Sequence, residues 1–133
     1  MTTGKKPEIW GVNVCDDAPT FETEIRGILN SMNEQFTTRL AEKNTQIQIL
    51  DGYAGEGYGI PYAGELDLLK WCGANEGQIL DPVYTGKALY GLSQEIRKGR
   101  FTRKDNVVFI HTGGMFGLFS EREILFPGQE AAR

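Results

Sequence analysis

Apolar positions along the chain fall into three rhythms. From Thr20 to Glu42, Phe21, Ile25, Ile28 or Leu29, Met32, Phe36 and Leu40 recur at steps of three and four. That spacing predicts one long amphipathic helix whose apolar stripe is core, with Thr20 or Asp17 as cap and Glu22 and Glu24 favouring its positive end. Shorter helical patterns follow. Gly64–Asn75 carries Leu66, Leu68, Leu69, Trp71 and Cys72 and is stopped by Gly77; Lys87–Lys98 turns Ala88, Leu89, Leu92 and Ile96 inward, with Thr85 as N-cap and Gly99 as its end. A third rhythm is the short apolar run: Glu8–Val14, Gln46–Asp51 and Asn106–Ile110. The last contains Val107, Val108, Phe109 and Ile110 without alternation, as a parallel strand buried on both faces would. A helix start is expected at Phe116–Glu123 and a frayed tail over 127–133.

The order strand, helix, strand, loop, helix, helix, strand, short helix predicts an α/β fold. It would hold a small parallel sheet with flanking helices in a single domain over 1–133. Three parallel strands are few, so an open sheet edge is expected.

Composition narrows the function more by exclusion than by assignment. A net charge of −4 argues against nucleic acid. The basic cluster Arg97, Lys98, Arg100, Arg103 and Lys104 reads as a solvated helix end. No apolar run is long enough to span a membrane, and the first seven residues have no signal-peptide pattern. Cys15 and Cys72 have no metal or disulfide spacing and read as buried free thiols of a reducing cytoplasm. His111 is the single histidine, which excludes a His-rich metal site. It could serve as a base for Cys15 or Ser120, but a strand-end histidine is more often structural.

Three polar stretches sit where ligands gather in α/β sheets. The loop 52–61, Gly-Tyr-Ala-Gly-Glu-Gly-Tyr-Gly-Ile-Pro, holds four glycines and two tyrosines after a strand and is not a dinucleotide fingerprint. Thr112-Gly113-Gly114 ends the third apolar run and reads either as a tight turn or as an anion cradle. Tyr84-Thr85-Gly86 places a phenol and a hydroxyl at a helix entrance.

These stretches also carry a resemblance. Asp81-Pro-Val-Tyr-Thr-Gly-Lys-Ala88, Ile96-Arg-Lys-Gly-Arg-Phe101 and Val108-Phe-Ile-His-Thr-Gly-Gly114 resemble the carboxyl-terminal part of the D-cysteine desulfhydrase and 1-aminocyclopropane-1-carboxylate deaminase family. Gly11–Cys15, Gly52–Gly55, Tyr58–Pro61 and Leu68–Trp71 extend the match along nearly the whole chain. The family is similar in fold to the tryptophan synthase β-subunit, so the resemblance implies an incomplete large domain of that kind and the cofactor pyridoxal phosphate. It implies that Tyr84 and Tyr58 take part in proton transfer or substrate contact. It places Thr112 at the pyridine nitrogen, with Thr85 and Gly113 beside the cofactor.

The family's deaminases carry glutamate at the Thr85 position and leucine at the Thr112 position, whereas threonine at both resembles the desulfhydrases. A neutral hydroxyl offers the ring about 1 kcal/mol, against roughly 1.5–3 kcal/mol for a charged partner, so it makes a weaker electron sink.

The Schiff-base lysine and phosphate loop belong to an amino-terminal part with no counterpart in this sequence, and Lys87 is expected to open a helix at the surface rather than replace that lysine. The resemblance therefore implies a partial lyase or deaminase of small amino acids, inactive alone. It would need an amino-terminal half as partner or cover its open face by self-association. A fragment of a cyclopropane-opening deaminase and a non-catalytic binding domain are the alternatives.

Overall fold

A computed structural model describes residues 7–36 and 46–128. The first apolar run forms β1, Trp10–Val12, and the second forms β2, Gln48–Leu50. They pair in parallel, Trp10 opposite Gln48, Gly11 opposite Ile49 and Val12 opposite Leu50. A Cβ on Gly11 would lie 2.9 Å from the Ile49 side chain, so glycine lets the strands carry bulky neighbours at that point.

Between the strands runs α1, Ala18–Phe36; the expected continuation to Glu42, with Leu40, lies outside the described residues. Asp17 accepts from the backbone N–H and the hydroxyl of Thr20, so Asp17 rather than Thr20 supplies the local cap. Asp51, from the end of β2, accepts from the Ala18 N–H and caps the same helix across the sheet. The stripe expected to be core is only partly covered. Phe21, Ile25 and Leu29 are half-buried, while Ile28 and Phe36 are exposed. A two-stranded sheet is too narrow to cover a nineteen-residue helix.

The second layer is α2, Ala63–Glu76, packed on α3, Thr85–Arg97. Gly77, at φ 65°, ends α2 as expected. Leu69, Cys72, Leu80 and Leu125 form the buried core, flanked by Leu66, Leu68, Leu89, Phe109 and Leu118. The inward face of α3 differs from the apolar expectation. Its buried positions are Thr85, Gly86, Lys87, Gly91 and Glu95, while Ile96 is exposed. Glycine explains half of this. A Cβ on Gly86 would meet the Asp81 carbonyl and Leu69 at 2.6 Å, and one on Gly91 would meet the Tyr53 ring at 3.0 Å. The helix backbone itself is the packing surface.

The third apolar run forms no strand. Residues 106–110 have no ladder partner among the described residues; Val107, Val108 and Ile110 are exposed, and Phe109 alone reaches the core. A strand is a pairing rather than a propensity, and β1–β2 is the described sheet. Beyond it the expected helix is a 3-10 turn, Met115–Leu118, followed by a single turn α4, Arg122–Leu125. Pro127 and Gly128 lie in a turn, and residues 129–133 of the expected tail lie outside the described residues.

Candidate active site

The carboxyl ends of β1 and β2 open into a cleft of about 540 Å³. Cys15 and Asp16 line it from β1, Asp51 and Gly52 from β2, and residues 54–58 from the glycine-rich loop. Asn13 joins the two strand ends. Its Nδ2 donates to the Cys15 and Asp16 carbonyls and to Asp51 Oδ1. Asp51 also accepts from the Ala18 and Gly52 N–H groups, and these bonds, led by that from Asn13, hold its carboxyl below the usual range. Cys72 is buried as expected, but Cys15 is half-exposed on the cleft wall.

Loop 52–61 is held from outside. Tyr53 is buried, with its ring over Gly91. Its hydroxyl donates to Glu95, which also accepts from Lys98 and Arg100. Those three donors, Tyr53 first, pull Glu95 down to about 2. The Tyr62 hydroxyl donates to the Tyr53 carbonyl at 3.0 Å, and the Tyr62 ring fills the space a Cβ on Gly55 would need. Lys87, expected at the surface, is fully buried. Its Nζ donates to the carbonyls of Ala54 at 2.6 Å and Gly57 at 2.7 Å.

Next to Gly57, Tyr58 reaches across to Tyr84. Their hydroxyls are hydrogen-bonded, and the rings meet edge-on with centroids 5.8 Å apart. Both rings remain exposed. The bond to Tyr58 raises the Tyr84 phenol above its ordinary value, so Tyr84 keeps its proton at neutral pH.

Tyr84 is placed by Asp81. The buried Asp81 carboxylate accepts from the N–H groups of Val83, Tyr84 and Thr85 and from the Thr85 hydroxyl. Burial pushes this carboxyl up, but the bonds from Thr85, Tyr84 and Val83 outweigh it and hold it low. Asp81, not Thr85, therefore caps α3, and Thr85 is its first helical residue. Thr85 is 1 % exposed, and its hydroxyl both donates to the Asp81 side chain and accepts from the Asp81 N–H.

The turn at 112–114 leans on the same carboxylate: a Cβ on Gly114 would sit 2.5 Å from Asp81 Oδ2. Gly113 and Gly114 have φ of 101° and 89°, which side chains rarely adopt. Thr112 is exposed, and its hydroxyl has no hydrogen bond among the described residues. His111 orders the turn. Its Nδ1 accepts from the Gly113 N–H, so its proton sits on Nε2 and is given to the Ile79 carbonyl at 2.8 Å. Both ring nitrogens are thus committed to backbone, as for a structural histidine.

Among the residues anticipated from sequence, the fold brings Tyr58 onto Tyr84 and Thr85 onto Asp81. Thr112 and Gly113 belong to the turn whose Gly114 lies against the same carboxylate, and among the described residues Thr112 has no bond to Thr85 or to either tyrosine. The buried roles of Asp81 and Glu65 were not anticipated from the sequence, and Lys87 was anticipated only at the surface. Asp81, the Asx-type residue before Pro82, carried a legible capping signal. Lys87 and Glu65 lay in patterns indistinguishable from a solvated helix face. Glu65, on α2 facing Gly86, is fully buried with no partner on either carboxylate oxygen. Burial raises it to about 7, against an opposing pull from Lys87.

Comparison with known proteins connects this arrangement to a chemistry. The chain is 34% identical over 117 residues to an Arabidopsis thaliana protein named "Bifunctional D-cysteine desulfhydrase/1-aminocyclopropane-1-carboxylate deaminase, mitochondrial", covering 87% of this chain and 28% of that one. It is 40% identical over 91 residues to a D-cysteine desulfhydrase of Salmonella paratyphi C, covering 68% of this chain and 28% of the relative. A crystal structure described as an ACC deaminase homologue superposes with a TM-score of 0.75 at 30% identity, over 87% of this chain and 34% of that one. The chain spans about a third of the length of the curated relatives it matches. Residues 1–113 match the family model described as pyridoxal-phosphate dependent enzyme, a span that takes in the cleft, the paired tyrosines and Thr112. By that match the chain belongs to the pyridoxal-phosphate dependent enzyme family.

Proposed function

We propose that this chain supplies the substrate side and the ring-nitrogen side of a D-cysteine desulfhydrase-like site. The observation that carries the reading is the Tyr58–Tyr84 hydroxyl pair beside the cleft at the strand ends. When bound, pyridoxal phosphate supplies the electron sink that lets bonds at an amino acid's α-carbon break. The described residues fit one part of that cofactor. The unengaged Thr112 hydroxyl, next to a glycine with open space where a Cβ would stand, suits a pyridine nitrogen. Thr85 acts behind it through Asp81, which steadies both the turn and Tyr84. Lys87 does not fit the lysine that carries the cofactor, because its buried ammonium is committed to two loop carbonyls.

The tyrosine pair holds a proton between two phenol oxygens facing solvent. Tyr84, which stays protonated at neutral pH, can donate to a substrate atom while Tyr58 relays the proton. In the complete reaction D-cysteine and water give pyruvate, ammonia and hydrogen sulfide. Threonine at both 85 and 112 supports this substrate over the cyclopropane amino acid. The lysine and the phosphate contacts come, in this reading, from an amino-terminal partner. Two cysteines without a disulfide among the described residues support a reducing, cytoplasmic setting, and no helix of these residues is long and apolar enough to cross a membrane.

The chain is tested by co-expression with the amino-terminal two-thirds of a D-cysteine desulfhydrase. The assembled enzyme should show bound-cofactor absorbance and release sulfide from D-cysteine, and Y58F and Y84F should each lower turnover about 100-fold. An assembled complex with neither absorbance nor sulfide release rejects the proposal; unaltered turnover in both variants rejects the tyrosine roles.

A second reading has its own observation. Val108, Phe116 and Phe119 are about four-fifths exposed, and the two phenylalanine rings stack at 6.4 Å. Such a patch suits a non-catalytic, self-associating domain. Sedimentation separates the two: a stable homodimer that excludes the amino-terminal segment favours the second.

A further inference from the structure

We infer that Lys87 is a positioning residue whose clamp on the Ala54 and Gly57 carbonyls delivers the Tyr58 hydroxyl to Tyr84. The inference rests on the catalytic reading of the tyrosine pair and adds the device that assembles it. Four glycines make loop 52–61 conformationally permissive, and three of them, Gly52, Gly55 and Gly59, hold φ between 70° and 88°. Its internal backbone bonding is thin; Ile60 N–H to the Gly57 carbonyl is the one such bond recorded between residues 54 and 60. Anchors outside the loop must therefore set its position. Tyr62 holds one side through Gly55 and the Tyr53 carbonyl. Lys87 holds the other at two points, and the second of these, Gly57, directly precedes Tyr58.

Burying an ammonium is costly unless its donors are used. Two of the three Lys87 donors go to these carbonyls at 2.6 and 2.7 Å, and Glu65 offers a nearby opposite charge. Lys87 sits three residues after Tyr84 on α3. The start of α3 thus joins the phenol, on the residue just before the helix, to the clamp in its first turn. A solvated lysine would serve α3 equally well, so the burial is explained by the loop and not by the helix.

The test needs no cofactor. In the full chain labelled at the tyrosine ζ-carbon, NMR follows the Tyr84 titration, assigned with Y84F. Tyr58 bonding raises that titration, so K87M, which keeps the side chain's length and removes the donors, should lower it to the value seen in Y58F. In a Y58F background K87M should then add no shift. A folded K87M chain whose Tyr84 titrates as in the wild type overturns the inference, as does an equal K87M shift with and without Tyr58. Where K87M fails to fold, K87Q, which keeps two amide N–H donors on a side chain one atom shorter, is read the same way and should give a partial shift. These outcomes stand apart from the catalytic reading: unchanged turnover in Y58F and Y84F would sink that reading while leaving the clamp to be judged on the titration.

Discussion

Two glutamates on the α2–α3 layer, Glu65 and Glu95, are almost equally hidden and live in opposite environments. Glu95 accepts from Tyr53, Lys98 and Arg100, and its carboxyl drops to about 2. Glu65 has no hydrogen-bond partner on either oxygen and rises to about 7. Burial alone therefore decides nothing about a charge; the donors within reach decide it. The Glu95 end of α3 fastens Tyr53, the root of the glycine loop. Glu65 lies against Gly86 and near the charge of Lys87, on the side of the candidate site.

The contrast has opposite signatures in pH. Glu95 titrates lower in the folded chain than its ordinary 4.5, so its contribution is complete above that value and is lost as pH falls toward about 2. Glu65 titrates higher than its ordinary 4.5, so the folded chain binds the extra proton between 4.5 and about 7 and loses stability as pH rises through that window. The largest expected effect is at Glu95. E95A should cost about 3 kcal/mol at pH 7, because it leaves the buried Tyr53 hydroxyl without its acceptor. Urea unfolding measures it, and a cost below about 1 kcal/mol would mean the exposed Lys98 and Arg100 partners are screened into irrelevance.

E65Q should act the other way. It should stabilise the chain by about 2 kcal/mol at pH 8 and be nearly neutral at pH 5, flattening the slope between 4.5 and 7. Equal effects at both pH values would show that Glu65 is hydrated. G86A tests the enclosure itself. A methyl group 2.6 Å from the Asp81 carbonyl and 2.8 Å from Glu65 Oε1 must push α2 and α3 apart, costing about 1–3 kcal/mol. It should also lower the Glu65 titration, read by carboxyl-carbon NMR. The smallest change is G73A, on the same α2 helix, where a Cβ meets nothing within 4 Å; it should stabilise by roughly 0.5–1 kcal/mol and leave Glu65 unmoved.

Much of this architecture was legible beforehand. Both paired strands, the three main helices and the Gly77 stop follow from apolar spacing and turn chemistry, which act within a few residues. The motif around Tyr84 and the loop around Tyr58 marked the candidate site, and the fold brings the two hydroxyls together although they lie 26 positions apart. The inward face of α3 was not legible. A lysine, a glycine and a glutamate four residues apart look like solvent, yet each is buried because a partner from elsewhere in the chain meets it. The run at 106–110 failed for the converse reason: its residues suit a strand, and no described strand lies beside them.

Sequence by itself determined the periodic elements and the family resemblance, since these depend on local chemistry and order. Tertiary structure alone decided which polar groups are buried and with what partners. It turned Lys87 from a surface charge into a clamp, gave the cap of α3 to Asp81 and left Glu65 alone. Those outcomes depend on distances between segments remote in the chain, and no spacing along the sequence encodes them.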